Sequence, residues 1–156
     1  MTFKTKSPHA FTLIEVLLVV SIFLVIFGLS VIFAQTSQIR TGLRSRVSVF
    51  ISHARELRNA SAAGKGDGAG YSIRLEEDSY ILFAGDTFVE DEPSNTVVLF
   101  PTIVRIQNIS LNGGGEDIYF RPPFGETDQY GTFQIYSTET GEALTVTIDR
   151  LGKVDY

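Results

Sequence analysis

Cysteine does not occur among the 156 residues, so disulfides, thiolate metal sites and cysteine nucleophiles are excluded. The compartment is not thereby fixed, since exported proteins need no disulfides. Histidine is almost as scarce: only His9 and His53 are present. His53 falls on a helical stretch without a second histidine at ligand spacing and reads as a surface or interface residue. Positive charge is also short, with 13 Lys and Arg against 18 Asp and Glu for a net charge of −5. That balance disfavours a globally basic binder of nucleic acid.

The usual catalytic patterns are missing as well. The glycines at 64, 66, 68 and 70 do not stand between a strand and a helix start, so they read as a flexible loop and not a phosphate cradle. No serine occupies a Gly-x-Ser-x-Gly elbow. Grouped acids occur at Glu76-Glu77-Asp78, Glu90-Asp91-Glu92 and Glu116-Asp117, but none has the alternating ligand order of a calcium loop, and they read as solvated turns. These residues predict no metal, no cofactor and no enzymatic activity.

Charge is scarcest between residues 11 and 33, where Glu15 is the one ionisable side chain and Thr12, Ser21, Gly28 and Ser30 are the other interruptions to an apolar run. An unbroken helix of that length reaches roughly 35 Å, enough to cross a hydrocarbon core of about 30 Å. A chain this short is hard pressed to surround such a helix on every side. A secretory signal differs, having a shorter apolar region that is cut behind it near small residues. Here the best candidate behind the run, Ile32-Phe33-Ala34, lacks the small residue two places earlier.

A cut between Ala10 and Phe11 instead removes residues 1–10 and leaves the apolar helix on the mature chain. It also removes Lys4 and Lys6 and no acid, so eleven basic side chains face eighteen acids, or −7. Glu15 then sits in the first helical turn, facing the positive end of the helix dipole and a free amine at Phe11. An ionisable residue inside an apolar span is a functional candidate by default. The alternative reading is a carboxylate that merely snorkels to the headgroups.

Past Ala34 the apolar residues thin to a stripe, Ile39, Leu43, Val47, Phe50, Ala54 and Leu57, at intervals of three or four, which predicts that the helix continues as an amphipathic one. Its other face carries Arg40, Arg44, Arg55 and Arg58, with Arg46 and His53 nearby. These arginines are expected to meet acidic surfaces of neighbouring copies, including Glu76, Glu77, Asp78, Glu90, Asp91 and Glu92. Gly64 predicts the helix stop. From Tyr71 onward, short β-branched and aromatic runs alternate with turn residues, and strands are expected at 71–75, 80–84, 96–100, 103–111, 118–121, 132–137, 143–149 and 154–156.

Strands this closely spaced without intervening helices must pair antiparallel. The predicted class is therefore α+β: a long N-terminal helix, half transmembrane and half amphipathic, packed on an antiparallel sheet or small β-sandwich. The expected segments are a leader at 1–10, a membrane-spanning and filament-core helix at 11–33, an amphipathic helix at 34–63 and a β domain at 64–156.

The lysine-bearing leader, the junction followed by Phe11-Thr12-Leu13-Ile14-Glu15 and the long apolar helix resemble the type IV prepilin family. That resemblance implies a pilin-like fold, cleavage between Ala10 and Phe11 by a prepilin peptidase on the cytoplasmic side, and N-methylation of Phe11. It also implies that Glu15 neutralises the terminal amine of an adjacent subunit during assembly. The family usually has Gly before the cut where this chain has Ala10. Major pilins often carry a mid-helix proline where this chain offers Gly28. Lys4 and Lys6 favour a cytoplasmic amino terminus, whereas Arg40, Arg44 and Arg46 oppose it, so that orientation rests on the resemblance.

Further along, Gly70-Tyr71-Ser72-Ile73, Tyr80-Ile81-Leu82 and Ile148-Asp149-Arg150-Leu151-Gly152-Lys153-Val154 look like minor pseudopilins of the GspH/FimT type. The implied role is structural: a single-pass inner-membrane subunit, its soluble domain on the extracytoplasmic side, incorporated with other pseudopilins or pilins on an assembly platform for type II secretion or a related pilus. Two other readings stay open. One is a minor pilin that binds DNA through Arg150 and Lys153; the other is a signal-anchored β-domain that binds partners without forming a filament.

Overall fold

The apolar run and the stripe that follows it fold as one helix, α1 (Leu13–Ala62), in the computed structural model, which describes residues 12–65 and 68–156, apart from the side chains of 30–41. The chain divides into two compact units, one ending at Gln38 and one starting at Ile39. In the first unit the described apolar side chains are bare: Leu13, Ile14, Phe23 and Phe27 are each at least two-thirds exposed. No helix among the described residues is long and apolar enough to cross a membrane.

The second unit begins with the amphipathic part of α1. Leu43, Val47, Phe50 and Ala54 are buried there as the three-four spacing requires, Ile51 joins them, and Leu57 packs against their edge. Ile39 lies outside the described side chains. The helix closes where Gly64 adopts a left-handed φ of 67°. The Lys65 amide then donates to the Ala60 carbonyl and the Gly64 amide to that of Ser61, which satisfies two carbonyls of the last turn.

Eight strands follow: β1 (Tyr71–Leu75), β2 (Ser79–Ala84), β3 (Thr96–Leu99), β4 (Val104–Leu111), β5 (Asp117–Phe120), β6 (Gly131–Ser137), β7 (Ala143–Ile148) and β8 (Val154–Asp155). They form two four-stranded antiparallel sheets, ordered β3-β2-β1-β5 and β4-β6-β7-β8. Every expected strand is present, with no end displaced by more than one residue. Phe100 lies just past the end of β3, its amide still donating to the Asp78 carbonyl. Gly131 joins β6, paired with both Leu111 and Ile148.

One hairpin ties the sheets together: the Asp78 carbonyl accepts from Phe100 at 2.9 Å, and the Glu77 carbonyl accepts from Ile106 of β4 at 2.7 Å. At the centre, the Phe50 ring meets Tyr80 of the first sheet edge-on at 5.0 Å and Phe133 of the second at 5.2 Å. A single apolar cluster thus draws on the helix and both sheets, and the second unit is a helix packed on two antiparallel layers.

Candidate functional site

The helix start at the amino-terminal end is built by Thr12 and Glu15. The Thr12 carbonyl accepts from the amides of Glu15 and Val16 at 3.1 and 3.2 Å. The Glu15 amide also reaches Thr12 Oγ1 at 3.4 Å, and that hydroxyl points to Glu15 Oε2 at 3.5 Å. Both side-chain contacts are at the long end of hydrogen bonding. Thr12 therefore occupies the N-cap and Glu15 the third helical position, a Thr-x-x-Glu capping signature that was legible in the sequence and adds Thr12 to the residues of this end.

The Glu15 side chain is exposed and stands in the first turn, where unpaired amides and the helix dipole favour negative charge. An exposed carboxylate so placed can receive an amine from outside its own turn. Ala10 and Phe11 lie outside the described residues. Further in, Ser21 Oγ donates to the Leu18 carbonyl at 2.7 Å, so its hydroxyl is satisfied within the helix. A methyl added at Gly28 meets nothing within 4 Å, which leaves that small residue open to contact.

The arginines behind the stripe do not share one role. Arg44, Arg46 and Arg55 are exposed. Arg58 instead belongs to the fold: its Nε donates to the Leu151 carbonyl at 2.8 Å, and two glycines lie against it. A Cβ at Gly125 falls 2.7 Å from the Arg58 carbonyl oxygen, and one at Gly152 falls 2.1 Å from the Gly125 carbonyl oxygen, both at left-handed φ near 70°. Arg40 lies outside the described side chains.

His53 is likewise not a plain surface residue. Its Nδ1 lies 2.9 Å from the hydroxyl of Tyr80, which joins the helix to β2 through a partly buried hydrogen bond. Burial pushes the Tyr80 phenol up to about 12, against a smaller opposing pull from Arg46. The long sequence separation of the pair hid the contact.

The acidic groups also separate. Glu77 and Asp78 lie 3.7 and 3.9 Å from Arg105, and Asp117 and Glu116 lie 3.4 and 4.0 Å from Arg74. Ser79 donates to Glu76 at 2.7 Å. Of the acids expected to face neighbouring copies, Glu77 and Asp78 thus also lie near Arg105 of their own chain while remaining largely exposed. Arg74 and Arg105 gave no signal in one dimension, because strand pairing brings them to their acids. Among the described residues no group of three or more metal-ligating side chains comes together.

The two cations considered for DNA each have a partner within the chain. Arg150 Nη2 donates to the Tyr130 hydroxyl at 2.9 Å with the guanidinium 4.5 Å from the ring centroid, and that hydrogen bond raises the arginine's pKa further. Lys153 Nζ lies 3.2 Å from Asp155. That hydrogen bond, the Tyr156 amide and the Lys153 charge hold the Asp155 carboxyl below its ordinary range. An open cleft of about 440 Å³ beside Arg150 is lined by Arg121, Glu126, Asp128 and Tyr130 among others, a mixed and not a basic lining.

Comparison with curated proteins and with solved structures gives no match. Residues 5–31 match the family model for the prokaryotic N-terminal methylation motif, a segment that contains the Ala10-Phe11 junction, Thr12, Glu15 and most of the apolar run. The match supports a type IV pilin-like or pseudopilin protein in general, with the membrane association and filament assembly that such a motif implies.

Proposed function

We propose that this chain is a minor pseudopilin of the GspH/FimT type, a structural subunit of a type II secretion pseudopilus or a related type IV pilus-like filament. The observation that carries the reading is the coincidence of the methylation motif at residues 5–31 with a helix that starts at Leu13 behind Thr12 and places Glu15 in its first turn. On this reading a prepilin peptidase removes residues 1–10 and the amine of Phe11 is methylated. The run 11–33 anchors the chain in the inner membrane and then packs in the filament core, with Glu15 facing a neighbour's amine. The domain beyond residue 38 lies on the extracytoplasmic side and performs no catalysis.

The two-sheet domain, with its helix stripe buried and several of its acids paired within it, suits a structural subunit. Mass spectrometry of the chain from native membranes is the test. A mature protein starting at methylated Phe11 is expected; a chain that keeps residues 1–10 overturns the reading in favour of a signal-anchored binding module.

A further inference from the structure

The first sheet has one edge that nothing in the chain closes. The Phe100 amide donates to the Asp78 carbonyl, and hydrogen-bonded pairs alternate along an antiparallel ladder. In the β2–β3 register Tyr80 and Leu82 therefore exchange bonds with Val98 and Thr96, and Val97 and Leu99 turn their amides and carbonyls away from the sheet. Among the described residues no loop backbone meets these groups. The other edges differ: the Tyr119 amide of β5 donates to Gln129 Oε1 at 3.3 Å, the Ile106 amide of β4 donates to the Glu77 carbonyl at 2.7 Å, and β8 has only two residues. β3 has no charged side chain, no proline and no register shift, the devices that keep strand edges from pairing.

Beside that edge α1 forms a wall. His53 Nδ1 meets the Tyr80 hydroxyl at 2.9 Å, Arg46 acts on the same phenol, and Tyr80 is the register partner of Val98. One turn further along, His53 and Glu56 share with Thr96 an open cleft of about 480 Å³, also lined by Leu57, Leu82 and Ser94. Leu57, Leu82, Val98 and Phe100 are only partly buried against the core. The core is thus unfinished where β3 ends the sheet: backbone groups lack partners on the edge, and apolar side chains lack cover on the side facing α1. An extended polypeptide meets both needs, because its backbone bonds along an edge while alternate side chains enter the groove.

We infer that the groove between β3 and the 46–56 stretch of α1 binds an extended segment of a different protein chain by strand addition. The ladder forms on the backbone of Val97 and Leu99. One inward side chain of the added strand enters the cleft with its stem on Leu57 and Leu82, and the Glu56 carboxylate at the rim favours a lysine or arginine there. A second copy fits less well: β3 is the one strand it has with an open edge, and Thr96–Leu99 offers no basic residue to Glu56. The inference goes beyond the filament reading and needs no step of it.

The test screens the purified full-length chain in detergent against a displayed library of random heptapeptides. Selected peptides are expected to share apolar residues at alternate positions and one lysine or arginine. Val97→Pro should weaken a selected peptide on the order of tenfold, as the loss of one or two hydrogen bonds allows. That proline removes an outward amide and no ladder bond, which edge strands tolerate, and an unchanged thermal midpoint verifies the fold. N-methylation of alternate peptide amides should weaken binding equally without altering the protein, and Glu56→Lys should turn the selection toward acidic residues. No enrichment over an unrelated membrane protein, or binding unchanged by N-methylation or by folded Val97→Pro, overturns the assignment. So does a dimer of the chain that Val97→Pro dissolves, which means that β3 pairs with itself. A native chain that keeps residues 1–10 sinks the filament reading and leaves the peptide result standing.

Discussion

His53 Nδ1 and the Tyr80 hydroxyl meet at 2.9 Å across the junction of α1 and β2, with the tyrosine side chain fully buried. Its phenol titrates near 12 in the folded chain, against about 10 when unfolded. The folded state thus keeps a proton that the unfolded chain releases. Stability from this group is complete below about pH 10 and falls as pH rises toward 12. Tyr80→Phe should flatten that alkaline decline relative to the parent. Urea unfolding of the detergent-solubilised chain between pH 8 and 12 measures it, and equal slopes would refute the assignment. At neutral pH the same substitution should cost about 1 kcal/mol, for the lost hydrogen bond.

Phe50 touches aromatic rings of both sheets, so its removal opens a cavity where three elements meet. Phe50→Ala should destabilise the second unit by about 3–5 kcal/mol. Val49→Ala, one position away on a side chain 40% exposed, should change stability by less than about 1 kcal/mol. Thermal unfolding of both variants gives the comparison.

Arg58 and Arg55 were expected on one face in the same role, yet only Arg58 donates to the Leu151 carbonyl. Arg58→Ala should lower stability by about 1 kcal/mol or somewhat more, and Arg55→Ala should stay within about 0.5 kcal/mol of the parent. If Arg55→Ala proves the more damaging of the two in unfolding experiments, the distinction drawn between them is wrong.

Glu15 presents an exposed carboxylate in the first turn of α1. Glu15→Val should leave membrane fractionation unchanged, since the substitution makes the run more apolar, and should reduce recovery of the chain in sheared filaments several-fold. Equal recovery of the two forms would make the residue a spectator. Thr12→Ala removes only the cap and should weaken the helix start by about 1 kcal/mol while leaving the carboxylate in place.

Much of the architecture was readable in one dimension because its signals are local. The stripe from Leu43 to Ala54 fixed which side of α1 is buried, and the β-branched runs with their turns located all eight strands to within one residue. The junction before Phe11 and the lone Glu15 pointed to the methylation motif that residues 5–31 match, and Thr12-x-x-Glu15 could have supplied the helix cap. By contrast, alternation along a strand tells which residues point inward but not which strand lies alongside, so the division into β3-β2-β1-β5 and β4-β6-β7-β8 was not legible. The same holds for Arg74 and Arg105, whose acids arrive through strand pairing and a hairpin.

The sequence by itself determined the helix, its buried stripe, the strands and the carboxylate near the start, since periodicity and capping act over a few residues. Only the tertiary structure decided which charges are already taken and which remain for another chain. Arg58 is held by Leu151 and Glu77 by Arg105, whereas Glu90 and Arg44 are left facing outward. Those outcomes depend on loops that bring residues distant in sequence within a few ångströms, and nothing in a local pattern encodes that distance.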